Sequence, residues 1–154
     1  MQILQAHLPQ HLPAIRELFT EYARAIEVDL CFQGFDRELA ELPGRYAPPA
    51  GRLLLAREGK RLAGCVALRQ ICDDTCEMKR LYVRPAFRQQ GLGRRLAEKI
   101  VHFAREIGYE RMRLDTLASM TAAIQLYESL GFQRIAPYYD NPLGGAVFLE
   151  LKLY

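Results

Sequence analysis

The feature that most restricts how this chain folds is the run from Glu77 to Gly108, where a strand gives way to a helix across a glycine-rich hinge. Residues 76–83 read as a strand, and from Leu92 the apolar residues Leu96, Ile100, Phe103 and Ile107 recur at helical spacing until Gly108 stops them. The hinge is Arg88-Gln89-Gln90-Gly91-Leu92-Gly93. The first turn of a helix leaves backbone N–H groups without partners, and the helix dipole places positive charge there. Glycines let a ligand approach such a backbone closely, so the hinge is a candidate phosphate cradle. The third glycine of a dinucleotide fingerprint would fall at Leu96, and no Gly-Lys-Ser/Thr follows as a P-loop requires. A nicotinamide cofactor and ATP hydrolysis are therefore disfavoured.

Charge supports a small polyanion at this point. Lys79, Arg80, Arg84, Arg88, Arg94 and Arg95 lie in one stretch with no acid among them, so it carries +6 while the rest of the chain is 3 − 6 = −3. A nucleic-acid surface more often spreads along an extended face, and none is expected here. The four cysteines contain no CxxC pair and the three histidines lack metal-ligand spacing, which disfavours zinc. Cys72 and Cys76 flank Asp73 and Asp74 at a hairpin turn, as strand-end thiols. The N-terminal residues show no charged-then-apolar leader pattern and no run of about 18 apolar residues occurs, so no membrane association and a cytoplasmic location are expected.

At 154 residues, half of them hydrophobic, the chain is sized for one domain over residues 1–154 with a core of its own. Residues 2–6 read as a short strand, and Ile15, Leu18, Phe19, Tyr22 and Ile26 give one apolar face to a helix over residues 11–27. Asp36 is a candidate cap for a short helix ending near Leu42. Strands over 52–57, 61–70 and 76–83, joined by turns at Gly59 and Asp73-Asp74, make an antiparallel set. Further strands are expected over 111–114, 133–137 and 146–153, with Ser119 capping a helix that carries Ala123, Leu126, Tyr127 and Leu130 and ends at Gly131.

The segments EMKRLYVRPAFRQQGLGRRLAEKI and LDTLASMTAAIQLYESLGF, followed by a final strand pair, resemble the GCN5-related N-acetyltransferase (GNAT) superfamily in order and spacing over residues 50–153. The resemblance implies an α/β fold with a mostly antiparallel mixed sheet of six to seven strands and about four helices. It implies acetyl-CoA as cofactor, with the backbone of Leu81, Tyr82 and Val83 along the pantetheine arm. Arg88, Gln89, Gln90, Gly91, Leu92, Gly93 and Arg94 would hold the pyrophosphate. Family members often carry an asparagine seven residues before the tyrosine of the LYxxLGF motif; that position is Met120, and Ser119 is the candidate substitute.

An alkyl amine with a reference pKa of about 10.4 is almost entirely ammonium at neutral pH and cannot attack a thioester, so a base is needed. Glu77 precedes Gly91 by 91 − 77 = 14 positions, similar to the general-base glutamate of histone-acetylating members. Tyr127 occupies the place from which a family tyrosine supplies a proton to the leaving thiolate. The thioester oxygen would meet a backbone N–H near Val83, where the strand turns from its neighbour. Direct attack in a ternary complex needs no enzyme nucleophile; a ping-pong route would use one such as Cys76, whose side chain should face away from that of Glu77.

For the acceptor, Tyr22, Phe32, Tyr46, Tyr138 and Asn141 are candidate contacts, and Arg45, Lys79 and Arg80 are candidate carboxylate grips. Together they suggest a small-molecule amine such as an amino acid or related metabolite. The alternative is a non-catalytic acyl-CoA sensor or interaction module. An exposed edge among the final strands is compatible with a homodimer.

Overall fold

The computed structural model describes residues 1–26, 34–142 and 144–154. One seven-stranded sheet runs through the molecule in the order β1 (Gln2–Gln5), β2 (Arg52–Glu58), β3 (Arg61–Cys72), β4 (Thr75–Val83), β5 (Arg111–Leu117), β7 (Ala146–Lys152), β6 (Gln133–Ile135). Every neighbouring pair is antiparallel except β4 and β5, which are parallel. That pair is bridged by α3 (Leu92–Ile107), the crossover that parallel strands require.

Alternation along β2 shows how the sheet serves two cores. Leu53 and Leu55 face α1 (Leu12–Ala25) and α2 (Phe35–Glu41), while Leu54 and Ala56 face α3 on the other side. Helix α1 presents Leu12, Ile15, Leu18 and Phe19 to the sheet, and α3 presents Leu92, Leu96, Ala97, Ile100, Val101 and Ala104. A shorter helix, α4 (Thr121–Ser129), buries Ile124 and Tyr127 and adds Tyr127 to the core on the α3 side. The expected sheet and helices are all present. Strand β6, only 3 residues long, forms the outer edge of the sheet and pairs with Phe148, Leu149 and Glu150 of β7.

Two caps differ from expectation. Gly34 at φ +69° opens α2 without a side-chain cap, and Asp36 sits in the first turn, where its charge favours the helix dipole instead. Met120 precedes α4 and no side chain caps that helix, so Ser119 is released from the capping role.

The strand leading into the hinge is irregular. Between the pairs Cys65–Tyr82 and Ala67–Lys79, β4 holds one residue more than β3, a β-bulge with Arg80 at φ +60°. Gly64 sits against this bulge, and a Cβ there would lie 2.5 Å from the Tyr82 carbonyl oxygen. Gly64→Ala should therefore destabilise the fold by about 1–3 kcal/mol, through displaced backbone rather than lost contact area. Urea denaturation measures it, and a change under 0.5 kcal/mol, the usual scatter of an innocuous surface substitution, would show that the bulge yields without cost.

Candidate active site

The ladder between β4 and β5 contains only Thr75–Arg111, Cys76–Met112 and Glu77–Arg113. Beyond Glu77 the two strands part, well before Val83, where the sequence placed the divergence. A cleft of about 780 Å³ opens between them, walled by Leu81, Tyr82 and Val83 of β4, Leu117 of β5, and Thr121, Ala123 and Leu126 of α4. Its outer end is the hinge. Gln89 and Gly91 take φ of +64° and +76°, turning the chain sharply before α3, and no side chain caps that helix. The first-turn amides thus remain available, with Arg88, Gln89, Gly91, Leu92 and Gly93 on the cleft wall. A Cβ on Gly91 would meet open space, so this residue is needed for its dihedral angle rather than for room. An apolar channel leading from a positive helix terminus fits a long ligand with an acyl arm and a phosphate group.

Gln90 and Arg94 are not on the cleft wall; the Arg94 guanidinium donates to Ser129 Oγ at 2.6 Å and lies 3.7 Å from Glu98. The basic stretch is also less available than its sequence suggested. Lys79 pairs with Asp115, Arg80 with Glu38, and Arg84 with Glu17 and Glu21, all acids from outside the stretch. Arg88, by contrast, donates to the Val83 carbonyl at 2.8 Å and keeps its charge at the mouth of the cleft.

At its inner end the cleft meets a small polar cavity of about 30 Å³. Tyr22, Leu81, Met120 and Tyr127 line both spaces, and the inner one adds Lys79, Arg80, Asp115 and Thr116. Burial, above all, raises the Tyr127 phenol above its ordinary pKa, and the neighbouring Tyr22 and Asp115 add to this, so the hydroxyl stays protonated and able to donate. Ser119 and Met120 stand on the cleft wall, where the sequence placed the substitution for the family asparagine.

Glu77 lies on the face of β4 that also carries Lys79, and only 3% of its side chain is exposed. Its Oε1 accepts from Arg69 Nε at 2.7 Å and its Oε2 from the Tyr138 hydroxyl at 2.6 Å. A carboxylate oxygen offers more than one acceptor site, so both oxygens retain capacity for a further proton donor. Glu77 does not line the inner cavity, although Lys79, two positions along the same strand, does. Cys76 points the other way, into the core under α3, and burial pushes its thiol up to about 12. A thiol so rarely ionised is a poor nucleophile.

The acceptor candidates divide. Tyr22 lines both spaces and Tyr138 binds Glu77. Asn141 donates to the Tyr139 hydroxyl at 2.9 Å, which in turn donates to Asp115 Oδ2 at 2.7 Å. Tyr46 is 2% exposed, packs edge-on against Phe19 and borders a separate pocket beneath α2, and it lines neither the cleft nor the inner cavity. Phe32 lies outside the described residues. Arg45 reaches the Gln70 carbonyl at 2.5 Å instead of the cleft. Sequence reasoning missed Asp115, because a lone acid on a strand looks like any surface carboxylate until β5 is placed beside Lys79.

The model of the Acetyltransferase (GNAT) family matches residues 12–132. An uncharacterised N-acetyltransferase of Schizosaccharomyces pombe is 41% identical over 155 residues, covering 99% of this chain and 95% of that one. A Streptococcus agalactiae acetyltransferase superposes with TM-score 0.81 at 23% identity over 98% of this chain and 97% of that one. A Salmonella typhimurium acetyltransferase structure containing its cofactor acetyl-CoA gives TM-score 0.70 at 25% identity, covering 99% and 94%. With the parted strands, the uncapped hinge and a family model spanning both cores, this chain belongs to the GNAT acetyltransferase family.

Proposed function

We propose that this protein transfers the acetyl group of acetyl-CoA to the primary amine of a small molecule, such as an amino acid or related metabolite, by direct attack within a ternary complex. The observation that carries this reading is the pair of adjoining spaces, the cleft that begins at the helix-terminal hinge and the polar inner cavity, which share Tyr22, Leu81, Met120 and Tyr127 as walls. The acetyl-CoA-bound relative from Salmonella typhimurium supports the choice of cofactor. When bound, acetyl-CoA supplies the acetyl group as an activated thioester.

The chain's own residues divide the remaining work. The amides at the start of α3 and the guanidinium of Arg88 hold phosphate, with Gln89 and Gly91 shaping the turn and Gln90 and Arg94 contributing backbone alone. The backbone of Leu81, Tyr82 and Val83, whose strand has lost its β5 partner, aligns the arm, and Ser119 holds it from the α4 side. Glu77 takes the proton of the incoming ammonium, directly or through one water, while the hydrogen bonds from Arg69 and Tyr138 hold its two oxygens in place. Tyr127 donates its phenolic proton toward the departing sulfur. Cys76 is buried on the opposite face and raised in pKa, which favours the direct route over ping-pong.

Release of free CoA thiol is the test, measured with acetyl-CoA over a panel of amino acids, polyamines, simple amines and a lysine peptide. Thiol release that requires an amine and falls in both Glu77→Gln and Tyr127→Phe is the expected result. Tight acetyl-CoA binding with no amine-dependent release would make the protein an acyl-CoA sensor, and unchanged turnover in both variants would remove the residue assignment.

A further inference from the structure

The inner cavity is too small for an acceptor and the right size for solvent. Its volume is about 30 Å³. A water molecule needs about 10–15 Å³ of space for its centre, together with about 2–4 polar partners. Lys79, Asp115, Thr116, Tyr22 and Tyr127 bring polar groups to this wall. Two of them have bonding capacity to spare. Among the described residues the Tyr127 hydroxyl meets no hydrogen-bond partner, and only burial and the neighbouring Tyr22 and Asp115 act on it. Packing does not seal it either, since the sealed side-chain atoms without a partner are those of His7, His11, Tyr46 and Arg52. Thr116 Oγ1 donates to Met120 Sδ at 3.5 Å, a weak acceptor, and keeps its own lone pairs.

Proton donation by Tyr127 sets a second requirement. A thiol has an ordinary pKa of about 8.5 and a phenol of about 10, and burial carries Tyr127 higher still. A departing thiolate is therefore too weak a base to leave a phenolate behind here, unless another proton reaches the phenol oxygen as the first one goes. Lys79 is placed to send it, because it shares the inner cavity with Tyr127. Its ammonium is not a free charge. It stands 3.4 Å from Asp115 Oδ1, and Glu77, two residues along the same strand, acts on it ahead of Asp115, with Arg80 and Arg69 opposing both. Burial nevertheless lowers the pKa of Lys79, so a proton moves downhill from this ammonium to a phenolate at Tyr127.

We propose that a water molecule in the inner cavity joins the Lys79 ammonium to the Tyr127 hydroxyl and returns to Tyr127 the proton that it gives to the departing sulfur. This rests on the acetyl-transfer reading above and deepens it. As the Tyr127 O–H bond breaks toward sulfur, a water O–H breaks to remake it and a Lys79 N–H breaks to restore the water. Lys79 ends as the neutral amine, with water and Tyr127 unchanged. Glu77 couples this relay to the attack, because its negative charge favours the Lys79 ammonium and that support is gone once it has taken the acceptor's proton. Afterwards Glu77 gives its proton to bulk water and Lys79 takes one from it, which restores both charges.

The test has two arms. A crystal structure of the protein with CoA, at a resolution that places ordered waters, should show one within hydrogen-bond distance of both Tyr127 Oη and Lys79 Nζ. A side chain filling that space, or no ordered water joining the two groups, overturns the proposal. The second arm is a double-mutant cycle on amine-dependent release of CoA thiol, with Lys79→Met, Tyr127→Phe and the two combined. Lys79→Met should lower kcat about tenfold or more, a fraction of what a proton donor contributes, with acetyl-CoA affinity close to that of the wild type. In the Tyr127→Phe background the same substitution should cost less than about threefold, because Lys79 acts only through that hydroxyl.

Losses that multiply in full would make Lys79 a support of the sheet face, overturning the proposal and leaving the acetyl-transfer reading intact. If Lys79→Met fails to bind acetyl-CoA, the crystal structure alone decides. No thiol release from the wild type with any amine removes the acetyl-transfer reading and the proposal with it.

Discussion

Glu77→Gln is expected to lower kcat by about a hundredfold near neutral pH, the lower end of what a positioned general base contributes, while acetyl-CoA affinity stays within threefold of wild type. Glutamine keeps the shape but cannot take a proton, and it withdraws the charge that Arg69 and Tyr138 both meet. A fall in kcat alone would also follow from local disorder, so the pH profile decides. The variant's deficit should shrink as pH rises toward the acceptor's own pKa, because an amine already neutral needs no base. A deficit constant with pH would make Glu77 a structural anchor. Tyr127→Phe should show the opposite signature, at least a tenfold loss, a fraction of what proton donation can supply, that does not change between pH 6 and 9. Burial raises the pKa of this phenol, so it remains a donor throughout that range.

The parts of this site that depend on local chemistry were legible in the sequence. The hinge was recognisable because glycine at positive φ, a missing cap and a helix start are encoded in consecutive residues, and Gly91 and Gly108 both sit at the φ that their places imply. Tyr127 could be placed through the motif around it, and it stands where the cleft and the inner cavity meet. What the sequence hid was pairing across distance. The parallel β4–β5 contact joins residues more than thirty positions apart and ends at Glu77–Arg113, so neither the point of divergence nor the presence of Asp115 beside Lys79 can be read from periodicity. Counting charges along the chain had the same weakness, since the acids facing Lys79, Arg80 and Arg84 come from β5, α2 and α1. Tyr46 is a related case: an aromatic before a Pro-Pro turn suits a pocket or a core equally well, and here it is 2% exposed and packs on Phe19 of α1.

Glu38→Ala is expected to destabilise the fold by about 3–5 kcal/mol, the usual cost of removing one partner from a buried ion pair. The Arg80 side chain is 2% exposed and that of Glu38 11%, so solvent cannot replace the lost carboxylate without rearrangement. Arg80 also occupies a left-handed backbone conformation at the bulge, an arrangement that costs energy unless its surroundings hold it, and the rings of Tyr22 and Phe35 lie 5.7 and 5.3 Å from its guanidinium. The loss should therefore reach the site, because the same bulge sets where Leu81 and Tyr82 meet the cleft. Replacing both partners separates charge from geometry. If an uncompensated guanidinium is the source of the cost, Glu38→Leu combined with Arg80→Met should recover more than half of the lost stability, since neither charge then needs a partner. If strain at the bulge depends on the guanidinium itself, the double variant will be no more stable than Glu38→Ala. Urea denaturation of the three proteins, with acetyl-CoA affinity measured alongside, distinguishes these cases. A loss below 1 kcal/mol in Glu38→Ala would place the pair among screened surface contacts, which contribute that little, and would detach the bulge from any need for Glu38.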